Sequence, residues 1–417
     1  LSGTMDSPDQ NAMGMPLSFV QFKDGELIVK MDAMNIVYTG KPNKDYTLLE
    51  GTFTQMGRNF EMNMSREAIA KEVVKHPQEP KDFPYYQEEV SYENPTAGNK
   101  LAGTLTLPKK EGQYPVVILI SGSGAQDRNE ALLGHKPFLV LSDYLTRQGI
   151  AVLRFDDRGV GGSTGNHATA TTADFATDVL AGIEYLKSRK EIKHNQIGLM
   201  GHSEGGLIAP MVAAQSKDVA FIVSLAGPGI DGGKILAMQT ELISLAEGED
   251  KNKIKKNVKS LEKMIDIIKN TADINDTENK LKKYLAEVYD NLPDEDKKEI
   301  GDKAPFIDKQ IKAMNSPWMR FFLRYDPADA WSKVSCPVLA LNGSKDLQVP
   351  PKENLAAIEK LLKAAGNTNV TTKELPGLNH LFQHTKTGAI SEYGKLEETF
   401  STEAMKVIAD WLLKVTK

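Results

Sequence analysis

The chain is poor in cysteine, which removes several kinds of site at once. Cys336 is the single cysteine among 417 residues, so neither an internal disulfide nor a zinc site of four cysteines can form within this chain. It precedes Pro337 at the start of an apolar run, a setting that predicts a buried thiol without a chemical role. No cluster of His, Cys and Asp has the spacing of metal ligands, and we expect neither a metal nor a cofactor.

Long apolar runs and an excess of basic charge are also missing. The longest apolar run, residues 219–226, has the size of a strand and falls short of the roughly 20 residues that a membrane-spanning helix needs. The formal net charge is -5, and no basic stripe is present that could neutralise phosphates. We therefore expect neither a membrane span nor a nucleic-acid partner.

The patterns that are present divide the chain into three kinds of segment. Residues 1–80 carry short β-rich runs, two of them separated by Asp24-Gly25, and predict a small antiparallel β-domain. Residues 86–230 and 326–417 alternate strand and helix patterns, which predicts an α/β domain with a mostly parallel central sheet and helices on both faces. Residues 231–325 have helical spacing without strand patterns, so we expect a helical cap inserted into that domain.

A pentapeptide of the Gly-x-Ser-x-Gly type, GHSEG at residues 201–205, is the strongest indication of chemistry. An apolar strand pattern precedes it and a helical pattern follows it, which is the context that a nucleophile elbow requires. Such a turn exposes the serine hydroxyl at the carboxyl edge of the sheet, where open α/β sheets bind ligands. We therefore predict that Ser203 is a catalytic nucleophile.

A serine hydroxyl is a weak nucleophile until a base removes its proton, and with this elbow an acid and then a histidine follow the serine along the chain. Asp346 and His380 each follow a late strand pattern, so both are predicted at the sheet edge that carries Ser203. His384 is the weaker choice for the base because it lies past that loop. His202, inside the pentapeptide, is expected to point away from the hydroxyl and to pack. The predicted triad is Ser203, Asp346 and His380.

The negative oxygen formed in acyl transfer needs backbone N–H donors. One predicted donor is the amide of Glu204, directly after the nucleophile, and the other comes from the loop after the first long apolar strand, SGSGAQDR at residues 121–128. Within that loop we predict Ser123 as the donor and Gly124 as the next choice. The side chain of Glu204 is open to two interpretations, a role near the pocket or a solvated charge at the start of a helix.

Together these pieces resemble the α/β-hydrolase superfamily, in particular the bacterial esterase D-like and dienelactone-hydrolase-like carboxylesterases. The resemblance covers about residues 86–417 and rests on SGSG at 121–124, FDDRGVG at 155–161, GHSEGG at 201–206 and the loops of the acid and the histidine. It implies the α/β-hydrolase fold and a carboxylic ester hydrolase that acts through an acyl-enzyme on a small-molecule ester. Ser121 departs from the pattern, because many relatives carry histidine there.

The cap and the first 80 residues carry further expectations. An insertion before the acid is typical of a lid over the substrate, so Trp318, Phe321 and Phe322 are predicted to line the pocket, with ordinary packing inside the cap as the alternative. The stretch MDSPDQ at residues 5–10 resembles the β-domains of some bacterial envelope hydrolases and implies an exported protein, although no leader is visible. A thioesterase or a serine peptidase would use the same triad, and a binding protein on an inactive scaffold is the remaining alternative.

Overall fold

A computed structural model of the chain describes residues 2–7, 12–32, 36–55, 58–66 and 74–417. The chain divides into two compact units, Leu1–Val73 with Tyr289–Phe306, and Val74–Val288 with Ile307–Lys417. Part of the MDSPDQ stretch, residues 8–10, lies outside the described residues. None of the described helices is both long enough and apolar enough to cross a membrane.

The described residues of the first unit form two antiparallel sheets, as the β-rich sequence predicts. The turn between the first two strands of the larger sheet is Asp24-Gly25, with φ of 51° and 77°, the two positive values that the favoured two-residue hairpin turn requires. The small sheet pairs β1 (Thr4–Ser7) with β2 (Ala12–Pro16). The larger sheet contains, in spatial order, β3 (Phe19–Lys23), β4 (Glu26–Met31), β5 (Ile36–Pro42), β6 (Leu48–Gln55) and β7 (Arg58–Glu61), with β8 (Met64–Ser65) also paired to β6.

The second unit is built on one eight-stranded sheet, and the predicted mostly parallel α/β fold is confirmed. Its strands are β9 (Tyr86–Asn94), β10 (Asn99–Leu107), β11 (Tyr114–Ile120), β12 (Ala151–Phe155), β13 (Ile192–His202), β14 (Phe221–Leu225), β15 (Val338–Gly343) and β16 (Val370–Leu375). Their order across the sheet is β16-β15-β14-β13-β11-β12-β10-β9. β10 runs antiparallel to both of its neighbours, and the other pairings are parallel.

Apolar side chains cover both faces of this sheet, which explains the continuous apolar runs of its central strands. Ile118 and Leu153 belong to the core on one face, whereas their neighbours Val117 and Val152 belong to the core on the other. The first core also includes residues of α2 (Thr172–Lys187), α3 (Glu204–Ala213) and α11 (Pro351–Ala364). The second includes residues of α1 (Pro137–Arg147) and α13 (Thr402–Val415), and the short α12 (Ile390–Tyr393) precedes α13.

Between β14 and β15 the chain is helical, as its spacing predicts. The helices are α4 (Gly232–Ala246), α5 (Lys251–Lys269), α6 (Ile274–Asp290), α7 (Asp294–Ile300), α8 (Lys303–Met314), α9 (Pro317–Arg324) and α10 (Ala328–Trp331). The two ends of this insertion meet, because the indole N–H of buried Trp331 donates to the carbonyl oxygen of Pro228 at 3.2 Å. The division of the chain at residues 80, 231 and 325 stays a prediction.

Candidate active site

Ser203 occupies the tight turn between β13 and α3, with φ of 52° and ψ of -117°. A positive φ strains a residue that has a Cβ, and such strain is typical of functional sites. The turn needs glycines beside it, because a Cβ on Gly201 would lie 1.9 Å from the carbonyl oxygen of Gly205, and a Cβ on Gly205 would lie 2.1 Å from that of Ile120. The strand, turn and helix expected of a nucleophile elbow are therefore present.

His380 and Asp346 form a buried pair at the same sheet edge. Nδ1 of His380 lies 2.8 Å from Oδ2 of Asp346. Oδ1 of the aspartate accepts the amides of Gln348 and Val349 at 2.8 and 2.9 Å, and Oδ2 accepts the side-chain amide of Asn342 at 3.1 Å. These bonds fix the orientation of the carboxylate, which can then hold the proton of His380 on Nδ1 and leave Nε2 as the basic nitrogen.

Ser203 and His380 line one cavity of about 240 Å³. Trp318 and Phe322 of α9 line it from the cap, with their rings stacked at a centroid distance of 5.5 Å. The cavity thus joins the predicted nucleophile and base to two of the predicted pocket residues. The other apolar side chains at the cavity are Leu132, Pro228, Ile235, Leu236, Met319, Val349 and Leu381.

Phe321 departs from the pocket prediction. Its ring stacks on that of Tyr325 at 5.3 Å and packs against the core on one face of the sheet, and it is not among the residues that line the cavity. Adjacent residues of an α-helix point in directions about 100° apart, so neighbouring aromatic residues of α9 contact different surroundings. For Phe321 the alternative of ordinary packing is the better description.

The loop after β11 passes directly beside Ser203. A Cβ on Gly122 would lie 3.2 Å from the Cβ of Ser203, so a side chain at this position would require the serine to shift by a few tenths of an ångström. Ser123 lines the cavity, whereas Gly124, with φ of 101°, lines a smaller cavity behind the loop. Glu204 is the first residue of α3, so its amide has no acceptor within the helix. The assignment of oxyanion donors to Ser123 and Glu204 stays a prediction.

Known proteins resemble this chain in both sequence and structure. Residues 137–281 match the family described as serine aminopeptidase, S33. The chain is 24% identical over 301 residues to Esterase EstD of Thermotoga maritima, a match that covers 72% of this chain and 62% of EstD. It is also 30% identical over 135 residues to the putative hydrolase YtaP of Bacillus subtilis, covering 28% of this chain and 45% of YtaP. The chain belongs to the α/β-hydrolase superfamily.

Solved structures of hydrolases also superpose on this chain, at lower sequence identity than the proteins above. An esterase of Pyrococcus furiosus superposes with a TM-score of 0.47 at 17% identity, covering 81% of this chain and 94% of that one. Est1E of Butyrivibrio proteoclasticus, with ferulic acid bound, superposes with a TM-score of 0.46 at 20% identity, covering 78% of this α/β hydrolase and 99% of Est1E.

A buried aspartate supports the loop after β11 in this α/β hydrolase. Oδ1 of Asp157 accepts the hydroxyl of Ser121 at 2.7 Å, and Oδ2 accepts the amide of Gln126 at 3.0 Å. Burial raises the pKa of Asp157 to about 7. Ser121, which departs from the pattern of the superfamily, thus ties this loop to the loop after β12.

The side chain of Glu204 is buried beside the cavity, which excludes the interpretation as a solvated charge. Its Oε1 accepts the hydroxyl of Thr172 and the indole N–H of Trp318, each at 2.7 Å. Burial raises the pKa of Glu204, although these hydrogen bonds and one with Ser123 act against that rise. Glu204 therefore connects the nucleophile elbow to the cap helix α9.

Sequence reasoning missed two features of the site, namely the hydrogen bonds of His202 and the presence of Glu130. Nδ1 of His202 lies 2.9 Å from Oε1 of Glu130, and Nε2 lies 2.9 Å from the carbonyl oxygen of His380. The expectation that His202 merely packs is therefore incomplete. The signal that the sequence offered for His202 was a histidine at the second position of the pentapeptide. No sequence pattern marks Glu130, which lies in a loop with φ of 52°.

No metal-binding cluster is found in the part of the chain that the structure describes, where no group of three or more His, Cys, Asp and Glu could hold an ion. Burial raises the pKa of the Cys336 thiol to about 12. Since the thiolate is the reactive form of cysteine, this residue is not set up as a nucleophile.

Proposed function

We propose that this protein is a serine hydrolase that cleaves carboxylic esters through an acyl-enzyme intermediate. The observation that carries the proposal is the hydrogen-bonded pair of His380 and Asp346, whose histidine lines the same cavity as Ser203 on its strained turn. The name of the relative EstD, an esterase, supports the same reaction class.

In the proposed reaction, Oγ of Ser203 attacks the ester carbonyl carbon while Nε2 of His380 takes the hydroxyl proton. The amides of Ser123 and Glu204 stabilise the oxyanion. The C–O bond to the alcohol then breaks, and His380 returns the proton to the leaving oxygen. Water, activated by the same histidine, hydrolyses the acyl-enzyme, and Asp346 stabilises the imidazolium in both halves of the cycle without being protonated itself.

The cavity favours a short, uncharged acyl group. Its volume of about 240 Å³ is below the roughly 300–1,000 Å³ of sites for drug-sized ligands. Among the described residues that line it there is no Lys or Arg, and the buried side chains of Glu130 and Glu204 stand at its wall. A carboxylate on the substrate would lose its hydration there without gaining a cationic partner.

A peptidase is the second candidate, because the matched family is described as a serine aminopeptidase. An aminopeptidase has to bind the free ammonium group of its substrate, for which a cavity carboxylate would serve. Glu204 already accepts hydrogen bonds from the neutral donors Thr172 and Trp318, and burial raises its pKa. A carboxyl group that already accepts two hydrogen bonds and has a raised pKa is a poor partner for an ammonium ion. This favours an ester substrate over a peptide with a free amino terminus.

A substrate panel tests the proposal. Wild type and Ser203→Ala are compared on p-nitrophenyl acetate, butyrate and octanoate, on an acyl thioester and on aminoacyl p-nitroanilides, with the exposed-site variant Ser391→Ala as control. We expect the wild type to favour the two short esters and to be labelled by a fluorophosphonate probe. In Ser203→Ala, kcat should fall on the order of 10⁶-fold. Full activity in Ser203→Ala, or a preference for the anilides, would contradict the proposal.

A further inference from the structure

A second pair of histidine and carboxylate lies beside His380 and Asp346, and the proposed reaction does not use it. His202 and Glu130 are 6% and 5% exposed. The imidazole rings of His202 and His380 are 4.8 Å apart between centroids, so the two pairs are in direct contact. A buried polar pair of this kind has to be fully hydrogen-bonded to be tolerated, and its bonds reveal what it connects.

The protons of this pair follow from its partners. The carbonyl oxygen of His380 can only accept, so Nε2 of His202 carries a hydrogen and donates it. Nδ1 then either donates to an ionised Glu130 or accepts from a protonated one, and in both cases one proton is shared between Nδ1 and Oε1. Burial acts to lower the pKa of His202, but the carboxylate of Glu130 outweighs it and the pKa is raised. The shared proton connects the two side chains in either arrangement.

Three catalytic segments meet at this pair. Oε1 of Glu130 also accepts the amide of Gly122 at 2.7 Å, which fixes the loop beside the Cβ of Ser203. His202 directly precedes Ser203 in the elbow, and its Nε2–H holds the backbone of His380. The predicted oxyanion loop, the nucleophile and the base are thus connected by two side chains.

We propose that Glu130 and His202 are positioning residues that set the geometry between the oxyanion loop and the base His380. The inference rests on the proposed function, because Ser203 and His380 are the groups that are positioned. Displacements of about 1 Å between reacting groups lower rates by about 10²-fold, whereas binding of the ground state tolerates them better. The pair therefore acts on kcat and on the reactivity of Ser203 more than on KM.

The groups that face His202 have to be considered together. Besides Glu130, the groups that interact with His202 are the backbone of His380 and the carboxylate of Asp346. Glu130 also interacts electrostatically with Asp157, as does Glu204. Replacing Glu130 by Gln removes the charge but keeps an amide oxygen that can accept from Gly122, and from Nδ1–H of His202 when that nitrogen carries a proton. Replacing it by Ala removes both, so the two variants separate the charge from the hydrogen bonds.

The experiment compares Glu130→Ala, His202→Ala, the double variant and Glu130→Gln with the wild type. For each protein, kcat and KM are measured on p-nitrophenyl butyrate, and the rate of labelling by a fluorophosphonate probe is measured separately. The value of kcat is expressed per site that the probe labels. We expect kcat and the labelling rate to fall together by about 10- to 100-fold in each Ala variant while KM changes less than threefold. The double variant should be no slower than the slower single variant, because the two residues act as one unit. Glu130→Gln should recover at least half of the loss on a logarithmic scale.

A matched control separates positioning from loss of stability. Asp178 pairs with Arg158 at 2.7 Å, and both side chains are buried but do not line the cavity that holds Ser203 and His380. Asp178→Asn should lower the Tm without lowering kcat per labelled site. An unchanged kcat and labelling rate in both Ala variants, or losses that multiply in the double variant, would overturn the positioning role. If either Ala variant does not fold, His202→Phe decides, because it keeps a ring but removes both hydrogen bonds of His202. Unchanged kinetics in His202→Phe together with a lowered Tm would also overturn the positioning role. A wild type that neither reacts with the probe nor cleaves the ester would instead refute the proposed function.

Discussion

The two walls of the cavity are stabilised by different kinds of interaction. The catalytic wall consists of the loops after β11, β13, β15 and β16, which buried carboxyl groups connect, as Asp346 and Glu130 do. Asp157, in the loop after β12, supports this wall through its hydrogen bond with Ser121. The cap wall consists of α4 and α9, whose side chains at the cavity are mostly apolar. Trp318 joins the two walls through its hydrogen bond to Glu204.

This difference indicates how each wall responds to substitution. Hydrogen bonds to buried charges depend strongly on distance and angle, and an unpaired partner is costly, so changes in the catalytic wall should act on kcat and stability. Apolar contacts are non-directional and tolerate small shifts, so changes in the cap wall should act on KM and on the choice of acyl chain. Three predictions test the contrast.

The largest effect is expected for Asp346→Asn. An amide cannot stabilise the imidazolium of His380, and its NH₂ group favours the wrong tautomer, so kcat should fall by on the order of 10³- to 10⁴-fold with little change in KM. Steady-state kinetics on a short p-nitrophenyl ester measure this. Asp410→Asn, at an exposed aspartate, is the control and should behave as the wild type. A loss below tenfold would show that Asp346 is not the acid of the triad.

A smaller effect, on stability, is expected for Asp157→Asn. The pKa of Asp157 is raised to about 7 in the folded protein from 3.8. As the pH rises from 4 to 7 the unfolded chain therefore ionises first, and the wild type loses up to about 4 kcal/mol of stability from this group. The asparagine of Asp157→Asn cannot ionise, so the unfolding free energy of this variant should not show that decrease with rising pH. Urea unfolding between pH 4.5 and 8 measures it.

Asp82→Asn provides the comparison for that measurement, since the side chain of Asp82 is 80% exposed. Its unfolding free energy should follow the pH dependence of the wild type. Parallel slopes for the wild type and Asp157→Asn would mean that burial does not alter the ionisation of Asp157, which supports the catalytic wall.

The smallest effect is expected in the cap wall, for Trp318→Phe. The change keeps an aromatic ring against Phe322 but removes the N–H that donates to Glu204. KM for short esters should rise by about 3- to 10-fold, a loss of about 1 kcal/mol that is typical of one hydrogen bond, while kcat stays within threefold. Trp411→Phe, in the core on the opposite face of the sheet, is the control. A fall in kcat as large as that of Asp346→Asn would remove the distinction between the two walls.

The sequence predicted those parts of the fold and site that depend on local pattern and chain order. The periodicity of apolar residues predicts the strands and helices that flank Ser203, Asp346 and His380. Because parallel strands have their carboxyl ends at the same edge of the sheet, the loops that carry these three residues are predicted to lie together. The pair of Glu130 and His202 could not be found in this way, because 72 residues separate the two and a loop with a positive φ brings them together. The export of the protein stays a prediction.

Burial decided the remaining cases, and burial depends on tertiary structure. Phe321 and Phe322 are equivalent in sequence terms and both pack against the core on one face of the sheet, yet only Phe322 also lines the cavity. Glu204 at a helix start is ordinarily solvated, but Thr172 and Trp318 cover it here. Neither outcome follows from the period of a single helix.

The hydrogen bond between Trp331 and Pro228 joins the two ends of the helical insertion, so the chain could be cut inside the insertion into two fragments that still associate. Neighbouring strands β14 and β15 pair Ile222 with Val338, which are more than a hundred residues apart in the chain because the helical insertion lies between them. Closing a loop of that length costs about 4 kcal/mol in chain entropy. A break at the exposed turn around Gly248 would leave Ser203 on one fragment and both Asp346 and His380 on the other. Catalysis by the two pieces would then report their association, which makes this chain a natural template for a complementation sensor.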